Sequence, residues 1–129
     1  MKRIEVVGAV IVNEHDEILC AQRPKNKSLP LMWEFPGGKV EKNEDPVLAL
    51  KRELLEEMEC EIEVLNKITT TEYEYDFGIV VLTTYYAKVI SGEIKLLEHV
   101  DKKWLKRSEL GNLEFAPADI PAIEIIREG

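Results

Sequence analysis

The hydrophobic and polar positions divide the chain into strands and two helices. Ile4 to Val12 is rich in Ile and Val and reads as a strand. Asn13-Glu14-His15-Asp16 is a turn cluster, and Ile18 to Arg23 reads as the returning strand of a hairpin. Pro24 to Pro30, with Lys25, Asn26, Lys27 and Ser28, is a polar loop. Trp33-Glu34-Phe35 is a short extended piece, stopped by Pro36-Gly37-Gly38. Two β-rich runs, Glu61 to Tyr75 and Phe77 to Ile90, break at Asp76 and Gly78 and predict a second hairpin. Trp104 and Leu105 close a last short strand, and Ser108 is placed to cap a helical turn.

The clearest element is a helix that begins at Asp45, a good N-cap, with Pro46 at the first helical position where no N–H partner is needed. Val47, Leu50, Leu54 and Met58 fall on one face at helical spacing, and Leu48 and Leu55 widen it. Pro117 to Glu128 predicts a C-terminal helix with Ile120, Ile123, Ile125 and Ile126 as its apolar residues. Strands flanked by two helices indicate an α+β, or mixed α/β, domain.

Length changes the picture little: 129 residues predict one domain over residues 1–129, and 45 % apolar residues suffice for a core. Charge changes it more. With 17 Lys+Arg against 25 Asp+Glu, the formal charge is −8. That argues against coating DNA or RNA, which needs a basic footprint, and against an anionic membrane surface. It leaves open a small phosphate compound, because a bound metal ion inverts the local charge. Met1-Lys2-Arg3 does not open a signal peptide: the apolar run after Glu5 is short and β-branched, and Asn13-Glu14-His15-Asp16 follows it. No run approaches the roughly 18 apolar residues of a membrane helix. Cys20 and Cys60 lack CxxC spacing and read as two buried free thiols, which fits a reducing, cytoplasmic setting. The oligomeric state, monomer or homodimer, is not written in the pattern.

Candidate chemistry lies on the first helix. Glu53, Glu56 and Glu57 stand at i, i+3 and i+4 and share an arc of roughly 100° beside the apolar face. Like charges so placed repel by a few tenths of a kcal/mol per exposed pair, on the order seen for helix neighbours. Arg52 reaches Glu56 but does not neutralise all three. One reading is a solvated acidic face. The other is a ligand set for a divalent cation that prefers hard oxygen. Gly37-Gly38 ahead of the helix lets backbone approach a ligand closely and offers carbonyl oxygens, and Glu44 sits at the helix entrance.

Gly38, then Glu44 six positions on, then Arg52-Glu53-Leu54-Leu55-Glu56-Glu57, resembles the Nudix box. Every charged position matches. Glu59 departs from it, standing where the box has a Gly that would end the helix at positive φ. Ala21-Gln22-Arg23-Pro24, the stretch Trp33 to Glu41, and Ala116-Pro117-Ala118-Asp119-Ile120-Pro121 resemble the MutT-like nucleoside triphosphate pyrophosphohydrolases within that family. The resemblance implies the Nudix fold, a mixed curved β-sheet between helices. It implies hydrolysis of oxidised or modified nucleoside triphosphates, of the 8-oxo-dGTP diphosphatase type, to monophosphate and pyrophosphate. CTP or dCTP hydrolysis is the alternative within the same subgroup.

By the resemblance, Mg²⁺ or Mn²⁺ is held by the Gly38 carbonyl, Glu53, Glu56, Glu57 and Glu98. Either Glu53 or Glu98 is the general base, Arg52 orients the acids, and Glu44 supports the loop-to-helix junction. Arg23 grips the triphosphate, for which a guanidinium fork is well shaped, and Lys39 does so less specifically. Without the resemblance Arg23 is a surface cation and Glu98 a loop acid. His99 is expected to help position the loop. Asp119 contacts the base by the resemblance and suits the N-cap of the last helix by position; the two roles are compatible. An ionised Asp119 only accepts hydrogen bonds, so it favours bases with donors over uracil or thymine. Phe35, Leu31 and Tyr75 are either walls for the base or core.

Three further readings compete: a Nudix hydrolase acting on a sugar nucleotide or dinucleoside polyphosphate, a silent nucleotide-sensing Nudix module, and a calcium-binding structural domain. The last has no Asp-rich twelve-residue loop to support it.

Overall fold

The computed structural model describes residues 1–128. The elements run β1 (Arg3–Ile11), β2 (Glu17–Gln22), β3 (Trp33–Glu34), β4 (Gly37–Lys39), α1 (Pro46–Met58), β5 (Glu61–Tyr75), β6 (Gly78–Ser91), β7 (Asp101–Lys106), and α2 (Ile120–Glu128). Short 3₁₀ turns cover Arg107–Asn112 and Pro117–Asp119. One sheet has the order β4-β1-β6-β5, in which β1 and β6 are parallel and the other pairs antiparallel. A second sheet has the order β3-β2-β7.

The expected mixed sheet between helices is present, and the alternation along β1 and β2 shows how it is built. Val7, Ala9 and Ile11 from β1, with Leu19 and Ala21 from β2, pack on Ala49, Leu50, Leu54 and Met58 of α1. Val10, Ile18 and Cys20 point to the other side, onto Ala122, Ile123 and Ile126 of α2. Successive strand side chains face opposite ways, so two cores form, one under each helix. Cys20 and Cys60 are both buried and free.

Several local expectations change. β1 and β2 do not form a regular hairpin; a single bridge, Val12 to Ile18, links them before they part into different sheets. Both edges of β1 are taken, by β4 and β6, so β2 finds β3 and β7 instead. The extended piece ends at Glu34, and beyond Phe35-Pro36 the glycines open a separate strand, β4, with Gly38 opposite Val7. A Cβ on Gly37 would collide with the Val7 carbonyl, so only glycine allows this approach. Leu48 and Leu55 do not widen the buried face of α1; they are exposed, and Ala49 is buried in their stead. Ser108 caps nothing: the turn starts after Lys106, whose amide donates to the Glu109 carboxylate at 2.8 Å. In the last helix Ile120 and Ile125 are exposed, and Pro117–Asp119 is a 3₁₀ turn ahead of it. The β5–β6 hairpin stands as expected, turning at Asp76-Phe77.

Candidate active site

The C-terminal half of α1, Arg52 to Glu57, carries the acids of the site. The Asp45 carboxylate accepts from the amides of Val47 and Leu48 at 3.1 and 3.2 Å, which caps the helix and sets its phase. That phase places Arg52 beside the β4 backbone and the acids that follow it. Arg52 donates to Glu44 from Nε at 2.8 Å and from Nη2 at 3.0 Å, to the Lys39 carbonyl at 3.0 Å, and to Glu53 at 3.0 Å. It also reaches both oxygens of Glu56 at 3.2 Å. This bond with Arg52 is the main reason the Glu44 carboxyl is pulled down to about 2; the Glu41 amide assists.

Glu57 lies in the opposite condition. Its carboxyl is partly buried beside Glu53, and burial first, then the Glu53 charge, push it far above the usual carboxylate range. Glu34 and Glu98 add to the push. Arg52 is committed to Glu44, Glu53 and Glu56, and no Lys or Arg pairs with Glu57 among the described residues. Gly38 lies so close to Glu53 that a Cβ there would strike its carboxylate. A partly buried acid pair in which only Glu53 has a cationic partner, with hard-oxygen backbone beside it, fits a divalent cation. Among the described residues no three His, Cys, Asp or Glu converge as a metal-binding group. Glu98, half exposed, is instead paired with Lys27 at 2.8 Å.

A cavity of about 360 Å³ opens beside these acids. Arg23, Phe35, Gly38, Lys39, Glu57, Glu98 and Asp119 all line it. Glu44, in the loop before α1, and Arg52, Glu53 and Glu56, on α1, do not line it. Arg23 donates to Glu34 at 3.0 Å and to Ser28 at 2.8 and 3.1 Å, so its guanidinium is half-buried and aimed, not a free surface cation. Phe35 is both wall and core, its ring tilted at 43° against Phe115 with centroids 5.5 Å apart. Tyr75 also lines the cavity, and its hydroxyl accepts from the Ala118 amide at 2.9 Å. Leu31 is exposed and stands outside the wall.

Asp119 also lines the cavity and is only 5 % exposed. Burial, then the Glu34 charge, raise its carboxyl well above the usual range; the Phe35 amide and Arg23 pull back less strongly. A protonated carboxyl donates from one oxygen and accepts at the other. The acceptor-only role read for Asp119 belongs to its ionised form, which burial disfavours in the nucleotide-free protein. The residues that the sequence reading passed over are Lys27, Glu34 and Phe77, all on the cavity. Glu34 carried one signal, a charge between two aromatics in an extended piece; Lys27 and Phe77 carried none.

The model of the NUDIX domain matches residues 2–127, and the chain belongs to the Nudix family. It is accordingly a Nudix hydrolase, with relatives named for pyrophosphate-bond cleavage. It is 38 % identical over 124 residues to the CTP pyrophosphohydrolase of Escherichia coli, covering 96 % of this chain and 91 % of that one. The 8-oxo-dGTP diphosphatase of Escherichia coli is 30 % identical over 123 residues, covering 95 % of each. A solution structure of the MutT Nudix hydrolase from methicillin-resistant Staphylococcus aureus is 56 % identical, with a TM-score of 0.80 over 99 % of this chain and 98 % of that one. Among the described residues, no helix is long and apolar enough to cross a membrane.

Proposed function

We propose that residues 1–129 act as one catalytic domain that hydrolyses a nucleoside triphosphate to a nucleoside monophosphate and pyrophosphate, with Mg²⁺ or Mn²⁺. The observation that carries this reading is the cavity itself, whose lining includes the buried Asp119 together with Glu57, Glu98, Arg23 and Lys39.

Gly38, Glu53, Glu56, Glu57 and Glu98 hold the cation. When bound, it neutralises phosphate charge and acidifies coordinated water. Arg23 and Lys39 donate to phosphate oxygens. Arg52 keeps Glu53 and Glu56 oriented, and Glu44 fixes Arg52 in turn. Glu53 or Glu98 accepts the proton of the attacking water. The water oxygen bonds to phosphorus as the bond bridging the α- and β-phosphates breaks, and pyrophosphate leaves. Phe35 and Asp119 receive the base, which is that of an oxidised or modified nucleotide such as 8-oxo-dGTP. The 38 % identity to a CTP pyrophosphohydrolase supports a second reading, with cytosine in the same place.

The test is a panel of each dNTP, CTP, 8-oxo-dGTP and 5-substituted dCTP, with and without Mg²⁺, read by product identity. The expected products are monophosphate and pyrophosphate, formed only with the metal. Orthophosphate as the product overturns the reaction assigned here. Preference for a sugar nucleotide or dinucleoside polyphosphate overturns the substrate class.

A further inference from the structure

Glu34 occupies the junction of two loops that are distant in sequence. One of its oxygens accepts from Arg23 Nη1 at 3.0 Å; the other lies 2.9 Å from His99 Nε2. Arg23 in turn donates from Nε to the Ser28 carbonyl and from Nη2 to the Ser28 hydroxyl. A continuous chain of polar contacts thus runs from the 24–30 loop through strand β3 to the loop that carries Glu98.

The Glu98 loop is held at few points. The Leu97 amide donates to the Glu57 carbonyl at 3.2 Å, and the Val100 amide donates to the Gln22 carbonyl at 3.0 Å. Between these two ties the inward side chain is His99, only 8 % exposed, while Glu98 itself faces out to Lys27. His99 Nδ1 is buried with no hydrogen-bond partner, so Glu34 is the single polar anchor of the ring. Without that carboxylate both ring nitrogens would be buried and unpaired, an arrangement proteins avoid by moving the ring or admitting water. Either response shifts the backbone of the neighbouring Glu98.

We infer that Glu34 is a positioning residue that acts through His99 to hold the loop carrying Glu98 beside Glu57, and that it ties this placement to Arg23. The inference rests on the metal-binding role proposed above for Glu98. Groups that orient metal-binding side chains change affinity by about 10–100-fold when removed.

The test measures Mn²⁺ binding to the nucleotide-free protein, from the EPR signal of free Mn²⁺, alongside kcat and KM for the triphosphate. His99→Phe keeps the ring volume and removes the donor; Glu34→Ala removes the acceptor. Each is expected to weaken Mn²⁺ binding by about 10-fold. The double variant should be no weaker than either single one, because two residues on one path are not additive. His99→Gln, which can still donate to Glu34, should stay within about twofold of the parent, well short of that loss. Parental Mn²⁺ binding in both single variants overturns the inference. So do additive losses in the double variant, or a loss in His99→Gln as large as in His99→Phe. If His99→Phe fails to fold by circular dichroism, Glu34→Ala against His99→Gln decides. Glu57→Gln and Glu98→Gln are the controls. If both bind Mn²⁺ as the parent does, the metal reading itself falls. If they weaken while the Glu34 and His99 variants do not, only the positioning role falls.

Discussion

Arg52 clasps Glu44 with two nitrogens, at 2.8 and 3.0 Å, and with the same guanidinium reaches Glu53, Glu56 and the Lys39 carbonyl. One cation therefore joins β4, the loop before α1 and the acid arc of the helix. The arrangement satisfies four acceptors and leaves Glu57 without a cation of its own.

The clasp gives a pH dependence with a definite sign. Glu44 moves from an ordinary value of 4.5 down to about 2 in the folded protein. A carboxyl with a lowered folded value adds stability that is present above its unfolded value and lost as pH falls through the folded one. Glu44→Gln should therefore melt lower than the parent at pH 7, with the gap narrowing between about 4.5 and about 2. Thermal melts of the metal-free proteins across this range check it; a gap that stays constant would show that Glu44 contributes through its shape and not its charge.

Glu57→Gln should separate activity from stability. Losing one preorganised charged group lowers kcat by at least ~100-fold. The same change removes a buried acid whose folded value is raised by burial and by Glu53. A raised acid weakens the fold wherever it is ionised in the unfolded chain, so the variant should melt at or above the parental temperature at pH 8. Near-parental turnover would remove Glu57 from the cation set.

Asp119→Asn tests both the buried carboxyl and the base. The parental group is raised by burial and by Glu34, so the neutral amide should stabilise the metal-free fold at neutral pH. It should also reorder preference among the nucleotide panel, because an amide presents a fixed donor and acceptor where a carboxyl presents either. An unchanged ranking of kcat/KM would leave Asp119 as a structural residue only.

Glu59 ends α1 in the left-handed region, at φ 51° and ψ 33°, with its amide donating to the Leu55 carbonyl. The helix thus keeps the turn that a glycine would make freely. Glu59→Gly should relieve about 1 kcal/mol of backbone strain. It also removes an exposed pair with Lys95 at 3.0 Å, worth between about 0 and 1 kcal/mol. The expected result is a small rise in urea midpoint with unchanged kcat; a fall would mean that the Lys95 pair outweighs the strain.

What the sequence by itself determined was local. Asp45, Pro46 and the apolar spacing defined α1, and the spacing of Arg52, Glu53, Glu56 and Glu57 set their directions, because helix geometry converts separation into angle. The Gly at position 38 could be seen as a point of close approach for the same kind of reason. The tertiary structure decided everything that depends on distant partners. β2 left β1 because β4 and β6 already filled its edges. Leu48 and Leu55 became exposed because the sheet covers only one side of α1. Glu34 met His99 across 65 positions and Lys27 met Glu98 across 71, separations over which no periodicity speaks. The Asp119 carboxyl is pushed above its ordinary range for the same reason: burial is set by the packing of the whole chain, and the sequence pattern around one carboxyl does not contain it.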